Sequence, residues 1–373
     1  MINNNTEENG TISNGVARTS VLVAAMRTHL SNQMVSLNDP SLYKPFEQSL
    51  VREYSKFCPT KVVNITDPKL TVIDPYALFF LQHQSSPDIM AEFFFSIPKV
   101  RPTVVDEPMY QGLIKSGLDV SSVGSISSFF KHVANDEQVM LGWMLLFDLN
   151  ITVHLAVRTK LIDEFVLQNV PSSIKQVVIL GSGLDTRAQR LPFDASVIVF
   201  EVDLPEVVEY KRNIMKNASL AITPISMAMN IDIKEDLRNL DKWTSQLVSS
   251  GLKKIEPTLW ILEGLLMYLK PEETTNLLKA VSSLSSSGSA IVFQSSAPID
   301  WTAPYVGKSV FAKIAPELFS FTPYPDELLI NVGFTDRVST VDDVALIERY
   351  GTPGIVLFEF PPTFQRYTQG FKP

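Results

Sequence analysis

The sequence predicts an α/β fold, in which an open, mostly parallel β-sheet carries a helical cap made by the N-terminal part of the chain. From about residue 174 onward, short apolar and β-branched runs alternate with helical segments. Apolar strands separated by helices are typical of a parallel sheet covered on both faces. Before residue 170 the pattern is mostly that of helices.

The strands and helices of the second part follow in order along the chain. The predicted strands are QVVILG, VIVFEVD, PISMAMNI, TLWILEG and SAIVFQSS, then, after a long Pro-rich segment, GIVLFEF. One helix is expected between each pair of successive strands up to SAIVFQSS. The helix at 271–286 begins with Pro271 and two glutamates, which suit a helix N-terminus.

The first part is predicted to be a helical cap. VARTSVLVAAMRTHLS has the apolar spacing of an amphipathic helix. Residues 101–125 are rich in Pro, Gly and Ser and are predicted as a loop. A helix is expected from Ile126 to Asn169, with a break near Gly142 as an alternative. We expect 1–16 to be a disordered tail, 17–170 the cap and 171–373 the α/β domain, the last two forming one globular unit.

The composition limits the classes of partner. The chain has 373 residues, of which 45% are hydrophobic, and 40 acidic against 32 basic residues. A net charge of −8 disfavours nucleic acid, because phosphate binding needs a basic face. The polar N-terminus lacks the apolar core of a secretory signal. The most apolar stretch, at 140–157, contains Asp148 and His154, which a membrane-spanning helix would disfavour. We therefore expect a cytoplasmic protein without a membrane partner.

The segment VVILGSGLDTR places two glycines directly after a predicted strand. Glycine permits a tight turn and a close approach of backbone to a ligand, and ligands of open α/β sheets bind beyond the carboxyl ends of the strands. The next strand ends in Glu201-Val202-Asp203. An acid there can accept hydrogen bonds from both ribose hydroxyls, so Gly181, Gly183 and Asp203 together predict a nucleoside cofactor.

The type of cofactor follows from the residues after the glycines. A nicotinamide dinucleotide normally needs a small residue where this chain has Thr186, since its pyrophosphate lies close to the helix. S-adenosylmethionine carries no phosphate and suits Gly-Ser-Gly-Leu-Asp better. Two simpler interpretations stay open: an ordinary strand-to-helix turn, and Asp203 as a cap for a helix beginning at Pro205.

Several linked motifs resemble the leucine carboxyl methyltransferase family, and most closely its bacterial-type branch of S-adenosylmethionine-dependent methyltransferases. These motifs are VIDPYALFFL, VHLAVRTKLIDEFV, VVILGSGLDTRAQRL, VFEVDLPEVVEYKR and WILEGLLMYLKPEETTNLLKAVSSLSSSGS. The resemblance implies a class I methyltransferase-like (Rossmann-like) sheet with a helical lid. This chain departs from the family in its Asn-rich tail and in an extra segment around residues 35–70, where the family's substrate lid forms.

The resemblance also implies roles for individual residues. It puts Arg158 on the cofactor carboxylate, and an arginine can grip a carboxylate with two parallel bonds. It assigns the remaining cofactor contacts to Gly181, Ser182, Gly183, Asp203, Asp232, Ile233 and Glu263, with Asp232-Ile233 near the adenine. Without the family, Arg158 would equally suit a surface pair with Asp163 or Glu164.

The predicted function is an S-adenosylmethionine-dependent O-methyltransferase that acts on a carboxylate or hydroxyl of a small molecule or protein. A carboxylate acceptor needs no base, whereas a hydroxyl could use Glu263 or a histidine. The four histidines have no metal-binding spacing, and no catalytic base and no metal are assigned. The alternatives are an NAD(P)-dependent oxidoreductase and a non-catalytic protein that binds the cofactor.

Overall fold

A computed structural model describes residues 15–36, 72–146, 149–170, 173–297, 320–350 and 365–373. In this part of the chain, seven strands form one sheet in the order β3-β2-β1-β4-β5-β7-β6. Strands β1 to β5 run parallel to one another, and β7 runs antiparallel between β5 and β6. The strands are β1 (Gln176–Leu180), β2 (Ile198–Asp203), β3 (Met229–Lys234), β4 (Thr258–Leu262), β5 (Ala290–Ser296), β6 (Asp336–Asp342) and β7 (Gln365–Phe371).

The sheet confirms the predicted fold class. Its order 3-2-1-4-5 is that of a Rossmann-like sheet, extended here by an antiparallel strand. The helices that follow β1 are Arg187–Arg190, Pro205–Ala221, Leu240–Ser249, Pro271–Ser283, Pro325–Asn331 and Asp343–Tyr350, with a 3-10 turn at Leu266–Tyr268.

Helices dominate the described residues before β1. They are Gly15–Ser36, Ala77–Leu81, Ser86–Val100, Pro108–Lys115, Val123–His132, Asp136–Leu145 and Leu149–Asn169, with a 3-10 turn at Pro102–Asp106. No helix in the described ranges combines the length and the apolar character that crossing a bilayer requires. The boundaries of the tail, cap and α/β domain stay a prediction, and residues 1–14 lie outside the described part.

Two predictions for the cap are wrong. Residues 101–125 are not a loop, because Pro102 and Pro108 each stand at the start of a helical segment, where the missing N–H costs nothing. The helix from Ile126 to Asn169 is three helices. The first ends at His132, and Asn135 caps the start of the second, where its side chain and that of Gln138 form a reciprocal capping box.

The strand predictions need two corrections, and a third predicted strand stays untested. β3 begins at Met229, five residues after the predicted start, and Met227 before it is exposed. β6 and β7 lack the continuous apolar pattern by which the other strands were predicted. The predicted strand GIVLFEF lies outside the described residues.

Both faces of the sheet are packed. All five residues of β1 are buried, with Val178 and Leu180 in the core on one face and Val177 and Ile179 in the core on the other. Because period-two burial on both faces fixes the register of β1, the turn that follows Leu180 is held at the carboxyl edge of the sheet.

Candidate functional site

A cavity of about 370 Å³ lies at the carboxyl ends of β1, β2 and β4. Its floor is made by the turns that follow these strands and by residues 235–238 after β3. The helices Gly15–Ser36 and Leu149–Asn169 supply the opposite wall. This volume lies within the range of small-molecule sites, which is about 300–1,000 Å³.

The glycine turn after β1 forms one side of the cavity. Gly181 and Gly183 have φ values of 65° and 48°, in the left-handed region that favours glycine. A Cβ atom on Gly183 would lie 3.4 Å from Cβ of Ser20, because the helix Gly15–Ser36 passes directly over the turn. Ser182 between them is buried and lines the cavity. The turn is therefore enclosed by strand and cap together.

Asp203 ties the end of β2 to this turn. Its Oδ2 accepts a hydrogen bond from the Gly183 N–H at 2.6 Å, and its Oδ1 accepts one from the Leu204 N–H at 2.7 Å. The helix that begins at Pro205 has no side-chain cap, so Asp203 is not its capping residue. Burial raises the pKa of Asp203 to about 6, although the two backbone N–H groups act in the opposite direction.

Glu201 does not share this position. Although Glu201 and Asp203 extend from the same face of β2, Glu201 is buried behind the cavity, where it pairs with Lys211 and accepts a hydrogen bond from Asn230. Of the two acids, only Asp203 lines the cavity.

Three arginines surround Glu263, which follows β4. Its Oε1 lies 2.7 Å from Nε of Arg158 and 3.1 Å from a terminal nitrogen of Arg27. Its Oε2 accepts a hydrogen bond from Arg187 at 2.5 Å. Burial alone would raise the pKa of Glu263, but Arg187, Arg158 and Arg27 hold it well below its usual value. Glu263 is therefore an anchor for cations and a poor proton acceptor.

A second layer of acids balances the remaining charge. Arg187 also binds Asp163 at 2.7 Å and pairs with Asp185, and Arg190 binds both oxygens of Asp163 at 2.6 and 2.9 Å. Asp163 is therefore bound to Arg187 and Arg190, and not to Arg158. The other surface partner considered for Arg158, Glu164, accepts a hydrogen bond from Tyr350 at 2.8 Å. Arg158 instead points into the cavity, where one of its nitrogens donates to Gln294 at 3.1 Å.

The two residues predicted as the adenine contact do not line the main cavity. Asp232 lies within β3 and binds Arg212 at 2.7 Å, beside a second cavity of about 320 Å³. Ile233 is buried in the core and does not line the main cavity. The dipeptide that does is Asp236-Leu237, two residues beyond the end of β3. The resemblance matches Asp232-Ile233 to an Asp-Leu pair of the family, with Ile in place of Leu. The same segment, MNIDIKEDL, also holds Asp236-Leu237, which is an Asp-Leu pair without a change.

Two site residues have no local signal in the sequence. Arg27 reaches Glu263 across 236 residues of chain. Gln294, on β5, accepts hydrogen bonds from Arg158 and, at 3.0 Å, from the Gly264 N–H, and donates to Gln365 at 2.7 Å. Only tertiary packing brings these groups together. The described residues hold no cluster of His, Cys, Asp and Glu that could bind a metal.

Comparison with known proteins agrees with the motifs. Residues 131–282 match the family model described as leucine carboxyl methyltransferase. A Mycobacterium marinum protein is 37% identical over 199 residues, which are 53% of this chain and 58% of that relative. A Mycobacterium avium protein is 39% identical over 137 residues, which are 37% of this chain and 43% of that relative. Both names give S-adenosyl-L-methionine-dependent methyltransferase as an unproven assignment.

The chain thus matches about half the length of these relatives. A solved structure of an O-methyltransferase family protein from Burkholderia thailandensis is 12% identical with a TM-score of 0.38, covering 77% of this chain and 72% of that one. The fold assignment rests on the strand order described above. The predicted family resemblance is confirmed over residues 131–282, which match the leucine carboxyl methyltransferase family model and hold all the predicted cofactor contacts.

Proposed function

We propose that the protein is an S-adenosylmethionine-dependent methyltransferase that methylates an oxygen, either a carboxylate or a hydroxyl, of a small molecule or a protein. One observation carries the proposal. The glycine turn, Asp203, and the pair of Arg158 and Glu263 come from distant parts of the chain and line one cavity. Absence of nucleic acid and membrane partners and a cytoplasmic location stay predictions.

Each end of the cofactor has a matching group in the cavity. Asp203 supplies a carboxylate for the ribose hydroxyls, and Asp236-Leu237 lie where β3 ends, as an adenine contact. Arg158 supplies a guanidinium for the carboxylate of the methionine part. Gly181 in this turn cannot carry a side chain, since a Cβ there would come within 2.9 Å of Leu265, which also lines the cavity.

The cavity suits a nicotinamide dinucleotide poorly. A pyrophosphate would have to lie at the start of the helix Arg187–Arg190. That place holds the buried carboxylate of Asp185, which accepts a hydrogen bond from the Arg187 N–H at 2.7 Å and repels phosphate. Thr186 is fully buried beside it. Both features favour the adenosyl ligand over the oxidoreductase alternative.

The residues would promote methyl transfer mainly by alignment. S-adenosylmethionine supplies, when bound, a methyl group on a positively charged sulfur, and direct displacement needs the acceptor in line with that bond. The turn and Asp203 would fix the adenosyl part. Arg158 would fix the other end, and the helix Gly15–Ser36 would exclude water from above.

The first experiment is calorimetry of the purified protein with S-adenosylmethionine, S-adenosylhomocysteine and NAD. We expect micromolar binding of both adenosyl ligands and no heat with NAD. Binding of NAD alone by a folded protein would replace this proposal with the oxidoreductase. Labelled cofactor and a pool of alcohols, phenols and carboxylic acids then separate an enzyme from a non-catalytic binder.

The adenine contact is tested by a matched pair of variants. We expect Asp236→Asn to weaken S-adenosylhomocysteine binding about tenfold, because one charge-assisted hydrogen bond is worth about 1.5 kcal/mol. Asp232→Asn removes the same charge from the same segment but outside the cavity, so its dissociation constant should stay within twofold of wild type. Calorimetry on both decides, and the reverse order would restore Asp232 as the adenine contact.

Binding should also depend on pH through Asp203. Ribose hydroxyls donate to the ionised carboxylate, so the ligand binds the form that exists above the pKa of about 6. We expect constant affinity above pH 7 and a loss of about tenfold per pH unit below 6. Calorimetric titrations from pH 5 to 8 measure this profile. Asp203→Asn, which has no charge to lose, should give weak but level binding, and a sloping profile in this variant would contradict the assignment.

A further inference from the structure

A histidine and an aspartate form a pair at the end of the cavity away from Asp236. His154 lies one helical turn before Arg158, about 6 Å along the same helix face. Its Nδ1 lies 2.9 Å from Oδ2 of Asp343, whose side chain is fully buried. The hydroxyl of Tyr367 donates a hydrogen bond to the other oxygen, Oδ1, at 2.8 Å. His154 and Tyr367 both line the cavity.

This arrangement fixes how the imidazole can act. The negative charge of a buried carboxylate 2.9 Å from Nδ1 favours a proton on that nitrogen, which leaves Nε2 with its lone pair. The same carboxylate stabilises the imidazolium that forms when Nε2 takes up a proton. Burial and Asp343 raise the pKa of Tyr367 well above its usual value, so its hydroxyl stays a neutral donor.

Three other acids and phenols that line the cavity are held by neighbouring groups. Glu263 is held by three arginines, and Asp203 by two backbone N–H groups. Tyr268 shares a hydrogen bond of 3.1 Å with Thr19, and burial raises its pKa. His154 is the one imidazole among the described residues that line the cavity, and its side chain is 15% exposed.

We propose that His154 is the general base for a hydroxyl-bearing acceptor, an alcohol or a phenol, and that Asp343 is its positioning residue. This inference rests on the proposed function and narrows its acceptor class. A carboxylate is already ionised and needs no base, whereas a hydroxyl must lose its proton as it reacts.

The step balances without another reactant. The acceptor oxygen forms a bond to the methyl carbon as the carbon–sulfur bond breaks, and the electron pair of that bond stays on sulfur as a neutral thioether. The hydroxyl proton passes to Nε2 of His154. The imidazolium then faces the Asp343 carboxylate and later returns the proton to solvent.

Turnover is measured with methyl-labelled S-adenosylmethionine and two acceptor pools, one of phenols and aliphatic alcohols and one of carboxylic acids. We expect methylation of hydroxyls and at least a 100-fold loss of this activity in His154→Gln, since general bases contribute roughly 10²–10⁴-fold. Binding of S-adenosylhomocysteine should stay within threefold of wild type. His132→Gln, on the exposed end of another helix, is the matched control and should keep full activity.

A second readout does not depend on turnover. Nitrogen-15 NMR spectra of the histidine side chains should show His154 protonated on Nδ1. The signals of His154 are assigned by their loss in His154→Gln. The charged and titratable groups around it are Asp343 and Tyr367, with Arg158 and Glu263 acting on Tyr367. Since the Asp343 carboxylate holds the proton on Nδ1, Asp343→Asn should give a mixture of the two neutral tautomers in the same spectrum. The same variant should lower kcat for hydroxyl acceptors and leave the binding of S-adenosylhomocysteine unchanged.

The outcomes separate this inference from the proposed function. Three results would overturn the assignment of His154 as the base without affecting the proposed methyltransferase function. They are methylation of carboxylic acids alone, hydroxyl methylation that persists in His154→Gln, and a proton on Nε2 in the wild type. Cofactor binding without methylation of any hydroxyl would overturn it as well. Failure to bind either adenosyl ligand would overturn the proposed function itself.

Discussion

Replacing Asp203 with alanine is expected to weaken the binding of S-adenosylhomocysteine about 100-fold. Two hydrogen bonds from ribose hydroxyls to one carboxylate are worth about 1.5 kcal/mol each, and 1.4 kcal/mol is tenfold in affinity. The variant also frees the Gly183 N–H, which Asp203 holds at 2.6 Å, so the turn itself loses its anchor. Calorimetry measures the dissociation constant directly.

Asp194 offers a matched control for this variant. Like Asp203 it accepts a hydrogen bond from a backbone N–H, that of Ser196 at 2.8 Å, but its side chain is exposed and lies outside the cavity. Asp194→Ala should bind the ligand as the wild type does. If Asp203→Ala binds within threefold of wild type while its thermal unfolding is unchanged, Asp203 is not the ribose contact.

Replacing Glu263 with glutamine is expected to lower the free energy of unfolding by about 3–5 kcal/mol, the usual cost of removing one partner from a buried ion pair. Its carboxylate is 7% exposed and is shared by Arg27, Arg158 and Arg187. An amide at this position cannot neutralise them, and its NH₂ group would face further donors. Urea unfolding followed by circular dichroism measures the loss.

The control is Glu256→Gln, which breaks the pair of Glu256 with Lys253. Both side chains of that pair are largely exposed, and such pairs are worth about 0–1 kcal/mol. If the two variants lose similar free energies of unfolding, the cluster around Glu263 does not act as a buried ion network. Urea unfolding at low pH offers an independent check. Because the pKa of Glu263 is depressed, its contribution to the free energy of unfolding is present above the ordinary carboxyl pKa and is lost as pH falls from there through the depressed pKa.

The central strands could be predicted because burial on both faces makes them continuous apolar runs, as β1, β4 and β5 are. β7 could not, since QRYTQGF draws its burial from pairing with β5 and β6 on either side, which the local sequence does not encode. The helices between 101 and 115 were foreseeable from their prolines. Pro-rich segments are often loops, but a proline at the start of a helix favours that helix, and Pro102 and Pro108 stand at such positions.

In the site, the glycine turn and Asp203 could be predicted, because a strand followed by Gly-X-Gly is visible in a few consecutive residues of the sequence. The prediction of Asp232 depends on where β3 ends, and strand ends are set by the neighbouring strand. β3 pairs with β2 as far as Lys234 opposite Asp203, so an adenine contact at the edge must come later. Arg27, Gln294 and the pair of His154 and Asp343 needed the tertiary structure.

The helix Gly15–Ser36 passes over the glycine turn and also sends Arg27 to Glu263. Ligand affinity is therefore the product of two quantities, the intrinsic affinity of the sheet edge and the fraction of molecules in which this helix is docked. Substitutions that loosen the helix far from the cavity would raise the apparent dissociation constant without touching the ligand. Bound ligand would in turn shift the population towards the docked helix, so cap and cofactor stabilise each other by the same factor.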